Sequence, residues 1–377
     1  MLKIAFTGGG TGGHIYPGLA VAACLKQKLP CTIFWIGSKN PLDRSIVESA
    51  GVPFFSIPAG KLRRNFSLSN ISDFFKVAAG FFAARSILKR EKPTLLFSKG
   101  GFVSVPPCAA AASLGIPLFT HESDYSPGLA TRINARFAAK AGRIITAYRE
   151  TAAAFGPRYR DKVLVLGNPV RAEFKNADPQ KGRAFLNAGT TSRILLVLGG
   201  SQGALELNRL VESSLEELTR FYTVVHQTGA AYEAVPAASS YKPYPYILEE
   251  LPHVLAAAEL VLARSGAGTV WECAAAGKPM VLLPLAGSGT RGDQVENARY
   301  FEKAGAAIVL SPDKRETADL IEVIRSLAEN EEKRKSMAAA SARIGEEGGT
   351  EKIVDLLLKK LTGIGQVNES GSPSEAP

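Results

Sequence analysis

Residues 3–13 read KIAFTGGGTGG and residues 193–203 read RILLVLGGSQG, the same local design repeated at an offset of 190 positions. At that offset Gly9, Gly10, Thr11 and Gly13 fall on Gly199, Gly200, Ser201 and Gly203. In each copy an apolar run of strand length leads into a glycine loop and then into a helical pattern. Glycine lets backbone amides approach a ligand with no Cβ in the way. The helix start that follows presents N–H groups lacking intrahelical partners to an anion. The repeat predicts two nucleotide-fold halves facing each other across a cleft, with one ligand touching both.

The rest of the chain keeps that rhythm. Strand-like runs alternate with helical patterns throughout, which argues for an α/β fold with parallel sheets. In the first half strands are expected at 2–7, 31–36, 54–57, 94–98, 116–120, 143–146 and 163–166, with helices near 15–28 and 71–89. Gly167-Asn168-Pro169 reads as a linker, so the domains are expected to span 1–167 and 168–349. The second half restarts with strands at 194–198, 222–227, 246–247, 260–263, 280–284 and 306–310. Helices are expected there near 204–218, 269–276, 294–304 and 317–327. A helix at 350–361 is a candidate to pack back on the first domain, and 363–377 is polar and small-residue-rich, an expected disordered tail.

A chain of 377 residues allows two domains with sizeable cores. Met1 runs almost directly into the first strand, with no signal-peptide pattern ahead of it. No apolar stretch reaches the roughly 18 residues of a membrane span. Cys24, Cys31, Cys108 and Cys273 show neither metal-ligand spacing nor a disulfide pattern, which points to a reducing cytoplasm. The net charge of +10 implies anionic partners. Nucleic acid is set aside, because the basic residues are scattered and no recognition motif is present.

Gly8, Gly10 and Gly13 satisfy G-x-G-x-x-G, the dinucleotide fingerprint, but the second strand ends Ile36-Gly37-Ser38-Lys39 with no carboxylate for a ribose. A Walker loop fails too, since His14 and Ile15 stand where Lys and Ser/Thr are required. Five glycines between positions 8 and 13 exceed the needs of a tight turn. His14 follows at the expected helix start, where the dipole favours a neutral ring able to accept a proton. A hydrogen bond to neighbouring backbone is its plainer use. Arg264-Ser265-Gly266-Ala267-Gly268-Thr269 is a third loop between strand and helix, with Glu272 one turn inside. A carboxylate there suits the two hydroxyls of a ribose, or simply a solvated helix face. Asp293, Gln294 and Asn297 at a later helix start suit sugar hydroxyls or ordinary capping.

Between Ile71 and Lys89 the apolar residues Ile71, Phe74, Phe75, Ala78, Phe81, Phe82 and Leu88 recur at helical spacing. Lys61, Arg63, Arg64, Lys76, Arg85, Lys89 and Arg90 surround them. Such a face belongs either in a core or on an anionic membrane surface.

Taken in order, GGGTGGHIYP (8–17), KGGFVSVPP (99–107), SLGIPLFTHESD (113–124), GNPVR (167–171), GGSQGALELN (199–208), RSGAGTVWECAAAG (264–277) and DQVENA (293–298) resemble the MurG family of peptidoglycan N-acetylglucosaminyltransferases. The likeness runs from Leu2 to about Leu361. It implies a GT-B fold of two Rossmann-like doubly wound domains. The implied reaction is inverting transfer of N-acetylglucosamine from UDP-N-acetylglucosamine to the 4-hydroxyl of the muramoyl sugar of lipid I, giving lipid II. It implies donor contacts at Thr11, Gly12, Gly13, Asp124, Arg171, Ser201, Gln202, Ile247, Ala267, Gly268, Thr269, Glu272 and Gln294. It also implies an acceptor-diphosphate site at Gly10, Gly100 and Gly101. His14 is the candidate base, and no metal or other cofactor is expected, there being no Asp-x-Asp motif. With a membrane-embedded acceptor, Phe74, Phe75, Phe81 and Phe82 become the expected docking face on the cytoplasmic side of the inner membrane.

The chain departs from the family pattern at three places. His121-Glu122-Ser123-Asp124 stands where His-Glu-Gln-Asn is common, so Asp124 replaces an amide by a carboxylate that could share the base role. Ser98-Lys99 opens the second glycine loop, and Phe102 stands where tyrosine is frequent. Two other readings stay open: a UDP-N-acetylglucosamine 2-epimerase or other UDP-sugar transferase on the same fold, and a nucleotide-sugar-binding regulator with a degraded acceptor site.

Overall fold

The computed structural model describes residues 2–60, 69–199, 204–287, 291–311 and 316–369. Ser201 and Gln202, and the basic residues Lys61, Arg63 and Arg64, lie outside them. The chain divides into two compact units. The first comprises Met1–Glu122, Pro127–Pro169 and Gly349–Pro377; the second comprises Ser123–Ser126 and Val170–Gly348. The expected division at 167/168 has no counterpart for the Ser123–Ser126 segment, which groups with the second unit.

The first unit is built on a seven-stranded sheet in the order β3-β2-β1-β4-β5-β6-β7. Its strands are β1 (Leu2–Thr7), β2 (Cys31–Gly37), β3 (Phe54–Ser56), β4 (Leu95–Ser98), β5 (Leu118–Glu122), β6 (Arg143–Thr146) and β7 (Val163–Val165). All its pairings are parallel. Strands buried on both faces read as near-continuous apolar runs, and alternation sorts their side chains. Ile4, Phe6, Ile33, Trp35, Leu95 and Phe97 enter one core, whereas Ala5, Phe34, Ile36 and Leu96 enter the other. The helix Thr350–Glu369 adds Ile353, Val354, Leu357 and Leu361 to the first of these cores, beside the helix Tyr16–Lys28. Residues 363–369, expected as part of a disordered tail, are helical, and 370–377 lie outside the described residues.

β5 starts two residues later than expected because Ile116 N–H still closes the preceding helix on Ala111 O. The strand ends on His121 and Glu122, at the carboxyl ends of the sheet's strands.

The second unit carries a six-stranded sheet in the order β10-β9-β8-β11-β12-β13. It contains β8 (Ile194–Leu198), β9 (Thr223–Gln227), β10 (Tyr241–Tyr244), β11 (Leu260–Ala263), β12 (Met280–Leu282) and β13 (Ala307–Val309), again all parallel. The strand expected at 246–247 is instead β10. Its Pro243 reads as a breaker in sequence but is tolerated because this strand lies at the sheet edge. The helix expected over 204–218 is two, Leu205–Ser213 and Leu215–Phe221. Ser213 and Ser214 hydroxyls both donate to Leu210 O, at 3.0 and 2.8 Å, offering the backbone an alternative to helix continuation.

The aromatic helix is Ser69–Glu91, and its face divides. Ala84 and Leu88 are buried and Phe81 packs against their core. Phe74, Phe75 and Phe82 stand 64%, 65% and 68% exposed. Phe81 therefore leaves the expected docking set, because residues three and seven positions before Ala84 and Leu88 share their inward face. No helix among the described residues is long and apolar enough to cross a membrane.

Candidate functional site

In an open parallel sheet, ligands bind beyond the carboxyl ends of the strands where the strand order reverses. In the first unit that point lies between β1 and β4, and in the second between β8 and β11. Each reversal is followed by glycine loops.

In the first unit, Gly8–His14 follows β1 and Lys99–Ser104 follows β4. Lys99 N–H donates to Thr7 O at 2.8 Å, which fixes the second loop on the first. Gly100 and Gly101 have φ of +86° and +76°, conformations that disfavour a side chain. A Cβ on Gly101 would lie 2.8 Å from Gly9 O and 3.0 Å from His14 Cδ2, so absence of a side chain is what lets the loops close on the imidazole. His14 ends a short 3-10 turn, Gly12–His14, immediately before the helix Tyr16–Lys28. Its N–H donates to Thr11 O at 3.1 Å. Thr11 and Gly13 are exposed and Gly12 is buried.

The first loop is braced from behind. Trp35 Nε1–H donates to Gly8 O at 3.0 Å. The buried Asp43 carboxylate accepts from Gly10 N–H at 2.9 Å and from Ser38 Oγ at 2.8 Å through the same oxygen. Gly10, expected at the acceptor-diphosphate site, thus has its N–H bonded to this carboxylate. The end of β2 carries no carboxylate, which is where the dinucleotide fingerprint requires one. Asp43 lies one helical turn later, in Pro41–Ser49, and a carboxylate in the first turn after Asn40-Pro41 was the available signal. Phe102 packs over Gly10, where a Cβ would come within 2.8 Å of its ring.

His121 is fully buried, with Nε2 3.0 Å from Gly167 O. A carbonyl only accepts, so Nε2 carries the proton. Burial, and next the nearby Lys99, hold its pKa well below the usual histidine range, so the ring is neutral. Glu122 Oε2 accepts from Gly128 N–H at 2.9 Å and ties down the loop that follows β5.

In the second unit the helix Ala267–Ala275 begins after Gly266 with no side-chain cap. The first-turn amides of Ala267, Gly268 and Thr269 have no intrahelical acceptor by position. Cβ atoms built on Gly266 and Gly268 meet nothing within 4 Å among the described residues, while Ala267 between them is buried. One turn inside, Glu272 lies 3.4 Å from Arg171 Nη2. Burial raises the Glu272 carboxyl to about 7, against the lowering effect of Arg171. Arg171 also stacks on Phe174, 4.6 Å from the ring centre. Its geometry thus places a guanidinium and a half-buried carboxylate beside a helix start with no side-chain cap.

Ile247 is buried, and its N–H donates to Gln227 Oε1 at 3.0 Å at the end of β9. Gln294 Oε1 accepts from Leu285 N–H at 2.9 Å, and Gln294 O accepts from Ser265 Oγ at 2.7 Å. The side chain expected to meet sugar hydroxyls thus also joins the loop after β12 to the helix Asp293–Lys303. Asp124 groups with this unit and pairs with Arg291 at 2.7 Å. Arg291, absent from the sequence-based set, has no motif of its own to mark it. Arg264, buried after β11, reaches Glu206 at 2.8 Å and Leu283 O at 3.0 Å, linking three segments around the strand reversal. Among the described residues no group of three or more His, Cys, Asp or Glu could hold a metal ion.

Comparison with known proteins agrees with this layout. Residues 4–143 match the glycosyltransferase family 28 N-terminal domain and residues 194–355 its C-terminal domain. A Treponema denticola protein named UDP-N-acetylglucosamine–N-acetylmuramyl-(pentapeptide) pyrophosphoryl-undecaprenol N-acetylglucosamine transferase is 49% identical, over 96% of this chain and 98% of its own length. A Clostridium perfringens protein of the same name is 38% identical, over 95% and 98%. The crystal structure of Acinetobacter baumannii MurG superposes with a TM-score of 0.71 at 24% identity, covering 95% of this chain and all of that one, a likeness of fold. The chain is a glycosyltransferase of family 28 and belongs to the MurG family of N-acetylglucosamine transferases.

Proposed function

We propose that this protein transfers N-acetylglucosamine from UDP-N-acetylglucosamine to the muramoyl 4-hydroxyl of lipid I, inverting the anomeric carbon and releasing UDP. The observation that carries the donor half is Glu272 beside Arg171, one turn inside a helix that starts with no side-chain cap. The ionised carboxylate accepts both ribose hydroxyls, while Arg171 and the amides of Ala267, Gly268 and Thr269 offset the diphosphate charge. This anchoring is read as metal-independent. Ile247 faces the base and Gln294 the sugar. In the first unit His14 takes the proton from the acceptor hydroxyl as its oxygen attacks the sugar C1. The C1–O bond to UDP breaks with its electron pair leaving on the diphosphate. Thr11, Gly12 and Gly13 serve the donor at the reacting centre, and Gly100 and Gly101 line the acceptor side. UDP release from UDP-N-acetylglucosamine, measured with and without a lipid I analogue, tests the whole reading. Release independent of acceptor would favour an epimerase-like or hydrolytic activity, and donor binding without release would favour the regulator.

Glu272 makes the donor half pH-sensitive. With its carboxyl near 7, lowering the pH from 8 to 6 protonates the group that accepts the ribose hydroxyls. Donor KM should rise about tenfold over that range. Glu272→Gln should give a high KM that no longer changes with pH. A flat wild-type profile would remove the ribose role. The linked stability effect has the opposite direction. The folded pKa lies above the ordinary 4.5, so this group favours folding most in acid, and its contribution is lost as pH rises from about 4.5 to 7.

Membrane docking is proposed to run through Phe74, Phe75 and Phe82, the exposed side of Ser69–Glu91, assisted by the surrounding Lys76, Lys89 and Arg90. The protein then sits peripherally on the cytoplasmic face of the inner membrane. Flotation with anionic vesicles should fall at least about tenfold in Phe74→Ser/Phe75→Ser/Phe82→Ser, since each ring contributes up to about 1.5–3 kcal/mol when buried. Phe81→Ser should lower stability instead. Equal flotation of the triple variant would exclude this face.

A further inference from the structure

The Ser123–Ser126 segment is sequence-adjacent to β5 of the first unit but packs within the second. Asn297, fully buried in the helix Asp293–Lys303, holds it there with both halves of its amide. Its Nδ2 donates to Asp124 Oδ1 and to Ser265 O, each at 3.2 Å, and its Oδ1 accepts from Tyr125 N–H at 3.0 Å. Tyr125 also packs beside Tyr300, with ring centres 6.4 Å apart. Asp124 and Ser265 O thus share one nitrogen, so the Asp124 carboxylate stands close to the loop that leads into the Ala267–Ala275 helix start. A carboxylate at that place opposes any anion bound by the same amides.

Arg291 answers that charge. Its Nη2 lies 2.7 Å from Asp124 Oδ2 and 2.9 Å from Asp293 Oδ2, so one guanidinium bridges two carboxylates. Asn297, which also bonds Asp124, is a neutral amide and carries no compensating charge. We infer that Arg291 is a positioning residue that makes a carboxylate at position 124 compatible with a phosphate-bearing ligand at the second unit. The inference deepens the donor-site reading and rests on it. Removing the guanidinium takes away the positive charge that Asp124 and Asp293 share, so their repulsion of a bound diphosphate rises. Removing the Asp124 charge as well takes most of that penalty away. A role in shaping the loop would instead affect every ligand alike, charged or not.

The test is a binding cycle on the full chain with two probes, UDP and uridine, read by calorimetry with competition for the weaker ligand. Arg291→Gln should weaken UDP about tenfold, the size expected for charges several ångströms apart near a surface, and change uridine by less than about twofold. Arg291→Lys should keep most of the UDP affinity. Asp124→Asn added to Arg291→Gln should recover at least half of the loss on a logarithmic scale. Uridine falling in step with UDP, or a double variant no better than Arg291→Gln alone, overturns the inference. A wild-type chain that binds neither probe overturns the donor-site reading itself, a result distinct from either of those.

Discussion

His14→Ala should lower turnover by about 10²- to 10⁴-fold, the contribution of a positioned general base, while the affinity for UDP stays within about twofold of wild type. The four histidines of the chain separate cleanly by surroundings. His121 gives Nε2–H to Gly167 O in a fully buried site. His226, also buried, lies between Tyr241 and Asn208 at 3.1 Å from each, and burial lowers its pKa to about 4. His253 Nδ1 accepts from Asp178 N–H at 2.9 Å. These three hold structure together. His14 alone sits on the glycine loops at the strand reversal, where Gly100 and Gly101 make room for its ring. Single-turnover rates at saturating donor, alongside calorimetric UDP binding, decide the matter. A rate within about threefold of wild type would end the base assignment. Loss of UDP affinity in proportion to rate would move His14 to a binding role.

Truncation after Gly349 should abolish the folded first unit. Ile353, Val354, Leu357 and Leu361 are each at most 2% exposed and belong to the core that holds Phe6, Trp35 and Phe97. Burying each contributes roughly 1.5–3 kcal/mol, so the helix supplies an amount comparable with the whole stability of a domain, about 5–15 kcal/mol. The Lys28–Asp355 pair at 2.9 Å is solvent-exposed and adds little. A milder version is Leu357→Ala, expected to cost about 2–5 kcal/mol. Because the chain has two tryptophans, Trp35 and Trp271, a Trp271→Phe background lets Trp35 fluorescence follow the first unit. An unchanged Trp35 unfolding transition in the truncated chain would show that the helix is dispensable.

The alternation of apolar runs and helical periods is enough to read twelve of the thirteen strands among the described residues to within a few residues, because strand burial on both faces leaves a local signature. The misplaced strand, β10, shows the limit: Pro243 forbids a central strand, and only the sheet order reveals that this one lies at an edge. Likewise the helical spacing of Phe74, Phe75, Phe81 and Phe82 marked an apolar surface but not which rings face the core. The neighbours of Phe81 settle that.

Local backbone demands are written in the chain. Glycines at 8–10, 100–101, 266 and 268 mark loops between strand and helix, and His14 and Glu272 stand a few positions after two of them. Partnerships across long sequence distances are not written there. Asp43 on Gly10, Asn297 between Asp124 and Ser265, and Arg291 between two carboxylates arise only when distant segments meet. A hydrogen bond or ion pair depends on separation in space, and one chain carries a record of its period and its turns but none of which far side chain will arrive opposite.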